Sequence, residues 1–278
     1  EVTLLIRKDR VLSTWERRAS MTLTRELKRR GVNVIARTAV DRVDTGANLG
    51  ATVHYRQGDS DEDRTAYGEV VLAAIGRVPN TDADWFRSSG LKLDERGYVT
   101  VDGYGRTNLD GVWALGDITP GHALAHRAFE QGITIAEKIA GADPKPVIDD
   151  TVPQVVFSFP EAASVGLTLD QAKAREDVVE PKETAYPMLS NARMLMSGEG
   201  GSMTVVSGAF ANNPDMQVVL GVHIVSPIAS DLIAEAEQLV GNRVPLADAA
   251  RLIHPHPTFS ETLGEALLKA DGRPLHTR

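Results

Sequence analysis

The sequence predicts an α/β chain, with an open, parallel, doubly wound region in the first half and an α+β region from about residue 150. Three observations carry that expectation. A branched apolar run, Val2 to Ile6, precedes an apolar residue at every fourth position (Trp15, Ala19, Leu23, Leu27) and then a second strand-like run, Val32 to Ile35. This is the pattern of a βαβ unit whose helix crosses over between parallel strands. A further apolar run, Val112 to Leu115, ends in Gly116-Asp117, which puts a permissive backbone and a carboxylate at the carboxyl end of a strand, where open α/β sheets bind ligands. After Ala142-Asp143-Pro144-Lys145-Pro146, a linker by composition, the simple alternation of strand and helix stops.

Val2 to Ile6 has no polar alternation, as expected of a strand covered on both faces. Gly31 ends the first helix, because glycine readily takes the left-handed position after a helix. Between Thr38 and Tyr67 the pattern weakens, with Gly46, Gly50 and Gly58, an acidic run from Asp59 to Asp63 and a strand candidate at Thr52 to Arg56. An edge meander with a solvated hairpin tip is expected there. Val70 to Ile75 reads as a buried strand, closed by Gly76-Arg77-Val78-Pro79-Asn80, whose Gly and Pro punctuation marks a domain boundary. From Thr81 to Ile148, strand-like runs at Tyr98 to Val101 and Val112 to Leu115 precede a helix from about Ala123 to Ile139. Beyond Val152, strands are expected near Gln154 to Phe157, Met203 to Ser207 and Val218 to Val225. Helices are expected near Leu169 to Arg175, Pro227 to Val240 and Leu246 to Leu252, with Leu232, Ile233, Ala236, Leu239 and Val240 on one stripe.

Composition narrows the function. The 278 residues carry 30 Lys plus Arg against 38 Asp plus Glu, a formal charge of −8 that disfavours a generic nucleic-acid binder. With 42% hydrophobic and 24% charged residues the chain is ordinary globular material. No stretch approaches the roughly 18 apolar residues of a membrane span, and the first residues lack a secretory layout, so a soluble, cytoplasmic protein is expected. The absence of cysteine removes thiolate nucleophiles, disulfides and Cys-ligated metals from this chain. Glu1 opens directly into a strand with no initiator Met, which reads as a fragment cut within a domain.

Three strings could carry chemistry. Gly116-Asp117 is a ligand-facing strand end or an ordinary Gly-Asp turn. In His254-Pro255-His256-Pro257-Thr258-Phe259-Ser260-Glu261, prolines fix the backbone on both sides of His256, and Thr258 to Glu261 has the spacing of a capping box. His256 could act as an acid or base oriented by Glu261, although the box alone would account for Glu261. His254 and His256 have no nearby third ligand, so no metal is expected. At the end of the first strand, where dinucleotide-binding domains place an acid on the ribose hydroxyls, Ile6-Arg7-Lys8-Asp9-Arg10 offers cations instead. These suit the 2′-phosphate of NADPH over NADH, or form a solvated basic turn.

Together these strings resemble the flavin-dependent pyridine nucleotide disulfide oxidoreductases, most closely their dihydrolipoamide dehydrogenase group. The matching strings are AIGRVPNT from Ala74, GVWALGDIT from Gly111, LAHRAFEQG from Leu124, FSFPEAASVGLT from Phe157, GVHIVSPIASDLIAEA from Gly221 and HPHPTFSE from His254. The resemblance implies partial Rossmann-type nucleotide-binding domains followed by an α+β dimerisation domain. Residues 1–80 would be the later part of the NAD(P) domain, 81–149 the central part of the FAD domain, and 150–278 the interface domain. The family's redox-active cysteine pair and both glycine-rich loops would lie outside this chain.

The same resemblance implies roles residue by residue. Asp117, with Gly116 before it, matches the aspartate on the flavin ribityl chain, and Ala125 the place where backbone meets the flavin ring. Gly76 and Arg77 match positions near the nicotinamide cofactor, and Val40 a backbone contact to its adenine half. Ile6 replaces the ribose-binding glutamate usual in NAD-dependent lipoamide dehydrogenases, whereas Arg7, followed by Lys8, matches an arginine that glutathione reductases use for the NADPH phosphate. His256 matches the acid/base histidine and Glu261 its carboxylate partner. Pro257 is expected cis. The implied cofactors are FAD with NAD or NADP, and the substrate a dithiol or disulfide. The implied partners are a second copy of the chain and a 2-oxoacid dehydrogenase complex. Alternatives are an NADPH-dependent reductase of a glutathione- or mycothione-type disulfide, a quinone reductase, or an isolated dimerisation module, and the 278 residues alone are expected to be inactive.

Overall fold

The computed structural model describes residues 1–46 and 50–277. They form two compact units, Glu1–Ala73 with Pro153–Arg278, and Ala74–Val152. The first unit opens with β1 (Val2–Ile6), α1 (Arg17–Arg29) and β2 (Val32–Ala36). Strands β1 and β2 pair in parallel, Val2 opposite Val32 through Ile6 opposite Ala36, so the expected βαβ unit forms. Glu16 starts α1, its carboxylate accepting from the N–H groups of Arg18 and Ala19 at 2.6 and 2.7 Å, which satisfies donors the helix cannot. The four-residue apolar repeat faces inward: Ala19 and Leu23 are buried, with Trp15 and Leu27 packed beside them. Next, β3 (Thr38–Thr45), β4 (Ala51–Gln57) and β5 (Arg64–Gly68) make the expected antiparallel meander, with the acidic run exposed between β4 and β5.

Val70 to Ile75 is not a strand. It has no ladder partner among the described residues, and Val70, Leu72 and Ile75 are 87%, 87% and 96% exposed. Branched apolar residues make a strand only where a sheet edge receives their backbone groups.

The second unit carries α2 (Asp84–Ser88), a 3₁₀ turn at Gly116–Ile118 and α3 (Ala125–Ile139). Phe86, Val99 and Ala114 form its small core. The strands expected at Tyr98 to Val101 and Val112 to Leu115 shrink to the isolated bridges Leu93–Val99 and Arg106–Trp113. Side chains compete for the backbone here: Asp94 Oδ1 accepts from the N–H groups of Arg96 and Tyr98, and Asp102 Oδ1 from those of Tyr104 and Arg106. Such turns bend the chain before a ladder can extend.

The chain then returns to the first unit as β6 (Gln154–Val156), β7 (Glu161–Gly166), α4 (Leu169–Ala174), β8 (Val178–Pro187), α5 (Ala192–Ser197), β9 (Ser202–Phe210) and β10 (Asn213–Ser226). Three helices follow, α6 (Ala229–Gly241), α7 (Leu246–Ala249) and α8 (Glu261–Ala270). The strands build one antiparallel sheet in the order β6-β7-β10-β9-β8. Period-two alternation sorts its faces: Met203, Val205, Val222 and Ile224 join the cluster made with α6, α7 and α8, while Val225 meets α1. All five residues of the predicted α6 stripe are buried there.

On the α1 side of that sheet His223 is 1% exposed. Its Nδ1 lies 2.8 Å from Ser164 Oγ and its Nε2 3.2 Å from Leu167 O. A neutral ring satisfies both, with Nε2–H donating to the carbonyl and Nδ1 accepting from the hydroxyl. Burial pushes its pKa down, against the raising effect of the Glu16 carboxylate and the Leu167 carbonyl. The unfolded chain therefore binds this proton more readily, so the contribution to stability is full above the ordinary pKa of about 6.5 and falls as pH drops through it. In urea unfolding, His223→Gln should show a shallower loss of stability between about pH 7 and 5 than the parent, by up to about 1.4 kcal/mol per pH unit. Parallel pH profiles would remove His223 as the source.

Candidate functional site

His256 sits in the loop between α7 and α8, and Glu261 is the first residue of α8. Their side chains meet, His256 Nδ1 lying 2.8 Å from Glu261 Oε1. Against a carboxylate acceptor this nitrogen carries the hydrogen, which leaves Nε2 as the basic nitrogen of the ring. The other carboxylate oxygen accepts from the Thr258 N–H at 2.7 Å. Only this half of the expected capping box forms. Helix α8 has Ser260 at its N-cap, and the Thr258 hydroxyl donates to Pro255 O and shares a hydrogen bond with Ser260 Oγ. The ring is open to solvent, 72% exposed, whereas Glu261 is 20% exposed. Burial pushes the Glu261 pKa up, but the Thr258 N–H, the His256 hydrogen bond and the charges of His256 and His254 outweigh it and bring the carboxyl below its ordinary value. The His256-Pro257 bond is cis, as expected.

Residues that sequence reasoning missed hold this loop. Asn191, 5% exposed, accepts from the Met194 N–H through Oδ1 and donates to Thr258 O through Nδ2 at 3.2 Å, tying the turn to the start of α5. An Asn before a helical run is a cap signal, but its second bond spans 67 residues and leaves no local trace. His254 takes its own partner, Glu235 Oε1 on α6, at 2.8 Å from Nε2.

In the second unit, Gly116 and Asp117 open the 3₁₀ turn. Gly116 has φ +72°, and its N–H donates to Gln131 Oε1 at 2.9 Å, fixing the turn to α3. The Asp117 carboxylate is exposed, 3.9 Å from the exposed guanidinium of Arg77. Ala125 is the exposed first residue of α3, whose N-terminus receives no side-chain cap. An exposed carboxylate, a backbone free of Cβ and an uncapped helix end suit the hydroxyls and carbonyl edge of a flavin nucleotide. Gly76 precedes Arg77 with φ +143°.

In the first unit, Arg7 and Lys8 are exposed just beyond β1, and Lys8 O accepts from the Arg37 N–H at 2.9 Å, which joins this turn to the one after β2. Val40, half exposed, is the last paired residue before a bulge in the β3–β4 ladder.

Comparison with known proteins identifies the family. Residues 1–132 match the profile of the pyridine nucleotide-disulphide oxidoreductases, and residues 152–267 match the dimerisation domain of the same family. Dihydrolipoyl dehydrogenases of Cupriavidus necator and Geobacillus stearothermophilus are 37% and 36% identical over 99% of this chain. The chain spans 56% and 57% of their lengths. Among solved structures, LpdA of Mycobacterium tuberculosis superposes with a TM-score of 0.84 at 30% identity, covering 97% of this chain and 56% of that one. The flavoprotein disulfide reductase RclA of Escherichia coli shares the fold, with a TM-score of 0.81 at 22% identity over 96% of this chain and 59% of its own. Among the described residues no helix is long and apolar enough to cross a membrane.

One buried cation organises the approach to α3. Arg127, 6% exposed, donates to Asp149 Oδ1 and to Pro120 O, both at 2.6 Å. Arg127→Ala should cost about 1–3 kcal/mol of local stability. Hydrogen exchange should then speed up across residues 119–124 and 148–151, and unchanged protection there would mean the pair holds nothing in place.

Proposed function

The chain belongs to the pyridine nucleotide-disulphide oxidoreductases, and from that premise we propose that it forms part of a dihydrolipoamide dehydrogenase-like enzyme that moves electrons between a dithiol or disulfide, FAD and NAD or NADP. The observation that carries the proposal is the exposed His256 ring held at Nδ1 by Glu261. A fixed Nδ1–H tautomer presents Nε2 to take a proton from a substrate thiol, and the thiolate so formed is the reactive species. Glu261 steadies the imidazolium that results, as a carboxylate does in other His–carboxylate pairs. Returning the proton to a leaving thiolate runs the same step in reverse.

Under this proposal residues 1–80 belong to the NAD(P) domain, 81–149 to the FAD domain and 150–278 to the interface domain. Asp117 and Gly116 would hold the flavin's ribityl side and the backbone at Ala125 its ring, while Gly76 and Arg77, and separately Val40, would contribute to holding the nicotinamide cofactor. FAD, when bound, supplies two-electron transfer between nicotinamide and sulfur. A homodimer is supported by the match of residues 152–267 to a dimerisation domain. A 2-oxoacid dehydrogenase complex as partner follows from the likeness to dihydrolipoyl dehydrogenases.

A second reading, an NADPH-dependent reductase of another small disulfide, is favoured by Arg7 and Lys8, which stand exposed directly after Ile6, the position that matches the ribose-binding acid of NAD-dependent members. In the full-length enzyme, the ratio of kcat/KM for NADPH over NADH separates the two readings, and Arg7→Glu should lower that ratio if the cation meets a 2′-phosphate. A strong NADH preference untouched by Arg7→Glu would make it a surface turn. For either substrate, His256→Ala in the full-length enzyme should reduce dithiol–disulfide turnover about 10²–10⁴-fold while the flavin absorbance spectrum is kept. Full turnover in that variant would end the acid/base proposal.

A further inference from the structure

The proton chemistry above leaves His254 unused, yet it is the better held histidine of the loop. Its side chain is 9% exposed, against 72% for His256. Its Nε2 lies 2.8 Å from Glu235 Oε1 on α6, and its Nδ1 side faces Gly264 of α8. A Cβ on Gly264 would sit 2.5 Å from His254 Nδ1 and 2.9 Å from Cε1, inside any real nonbonded contact. Glycine in a helix interior is less favourable than alanine, so its presence here calls for a reason, and the ring supplies one.

Gly264 follows Glu261 by three positions, so both lie on one face of α8. The loop meets that face twice, through His254 against bare backbone and through His256 against the carboxylate. Downstream of His256 the loop is anchored by the Thr258 N–H on Glu261 and by Asn191 on Thr258 O. Upstream, Ile253 is 97% exposed and Leu252 48%, so they grip little. His254 is the upstream anchor.

We infer that His254 is a positioning residue for the His256–Glu261 pair: wedged between Glu235 of α6 and Gly264 of α8, it sets the spacing of loop and helix at which Glu261 can hold Nδ1–H of His256. The inference rests on the acid/base reading of that pair. The charged groups that bear on His254 are Glu235 from α6 and Glu261 from α8; the Glu235 hydrogen bond pushes its pKa up against the lowering effect of burial. A protonated ring keeps Nε2–H as the donor to Glu235, which strengthens the wedge.

The test reads ring tautomers directly. In the ¹⁵N-labelled 278-residue chain, at a pH where the His256 ring is seen to be neutral, long-range ¹H–¹⁵N spectra should show His256 as the Nδ1–H tautomer. His254→Ala and Gly264→Ala should each shift His256 toward a mixed or Nε2–H population. His254→Gln, whose amide still donates to Glu235, should restore part of the parent signal. Gly264→Ala is decisive where His254→Ala fails to fold, because alanine favours the helix and disturbs only the ring contact. A parent-like His256 tautomer in Gly264→Ala, or in a folded His254→Ala, overturns the inference. In the full-length enzyme the same variants should lower kcat about 10- to 100-fold with KM for the nicotinamide unchanged, the size expected of a displaced rather than a missing group. Ring spectra report the geometry whether or not the enzyme acts on dithiols, so a failure of the proposed function leaves this result readable.

Discussion

The two oxygens of one carboxylate set the geometry of the candidate site. Glu261 spends one on the Thr258 N–H and the other on His256 Nδ1, so the backbone of the turn and the ring it carries are referred to the same rigid group. A pair as exposed as His256 and Glu261 adds little to the stability of the fold. What it supplies is orientation: one tautomer, one ring plane and one basic nitrogen. An acidic residue in the first turn of a helix is also favoured by the helix dipole, so the carboxylate sits where its charge is welcome.

That arrangement is only as firm as α8, and α8 is firm because the antiparallel sheet holds it. Leu263, Ala266 and Leu267 are 1%, 0% and 0% exposed and pack with Met203, Val205 and Ile224 on one sheet face. Helix α6 packs its apolar stripe on the same face and carries Glu235 to the edge, where it meets His254. A site whose side chains are fixed to packed elements keeps its geometry better than one carried by a loop alone. The same sheet meets α1 on its other side through Ala162 and Val225, so the βαβ unit shares this frame.

Local periodicity revealed what local forces decide. The repeat through Ala19, Leu23 and Leu27 and the stripe from Leu232 to Val240 became inward-facing helix faces because burial of a helical stripe depends on little besides its own spacing. The dyad was legible for a similar reason: His256 and Glu261 are five residues apart, within reach across one turn. Val70 to Ile75 misled because its apolar composition says nothing about whether a neighbouring strand is present to pair with it. Tyr98 to Val101 misled because Asp94, four residues before it, captures backbone N–H groups that a ladder would need. Asn191, Glu235 and Gly264 were invisible as site residues because each reaches the loop through a contact that only the folded chain makes.

The exposure of His256 fits a division of labour that the composition already requires. A chain without cysteine holds no thiol for this imidazole to serve, so under the proposed function every thiol it meets comes from outside these residues. A buried ring would be inaccessible to such a thiol, and a free one would lose its preferred tautomer. Holding the carboxylate at 20% exposure while leaving the ring at 72% meets both demands. The better-held carboxylate lies inward and the ring outward, so under the proposed function the proton would pass to and from a thiol without the fold opening to admit it.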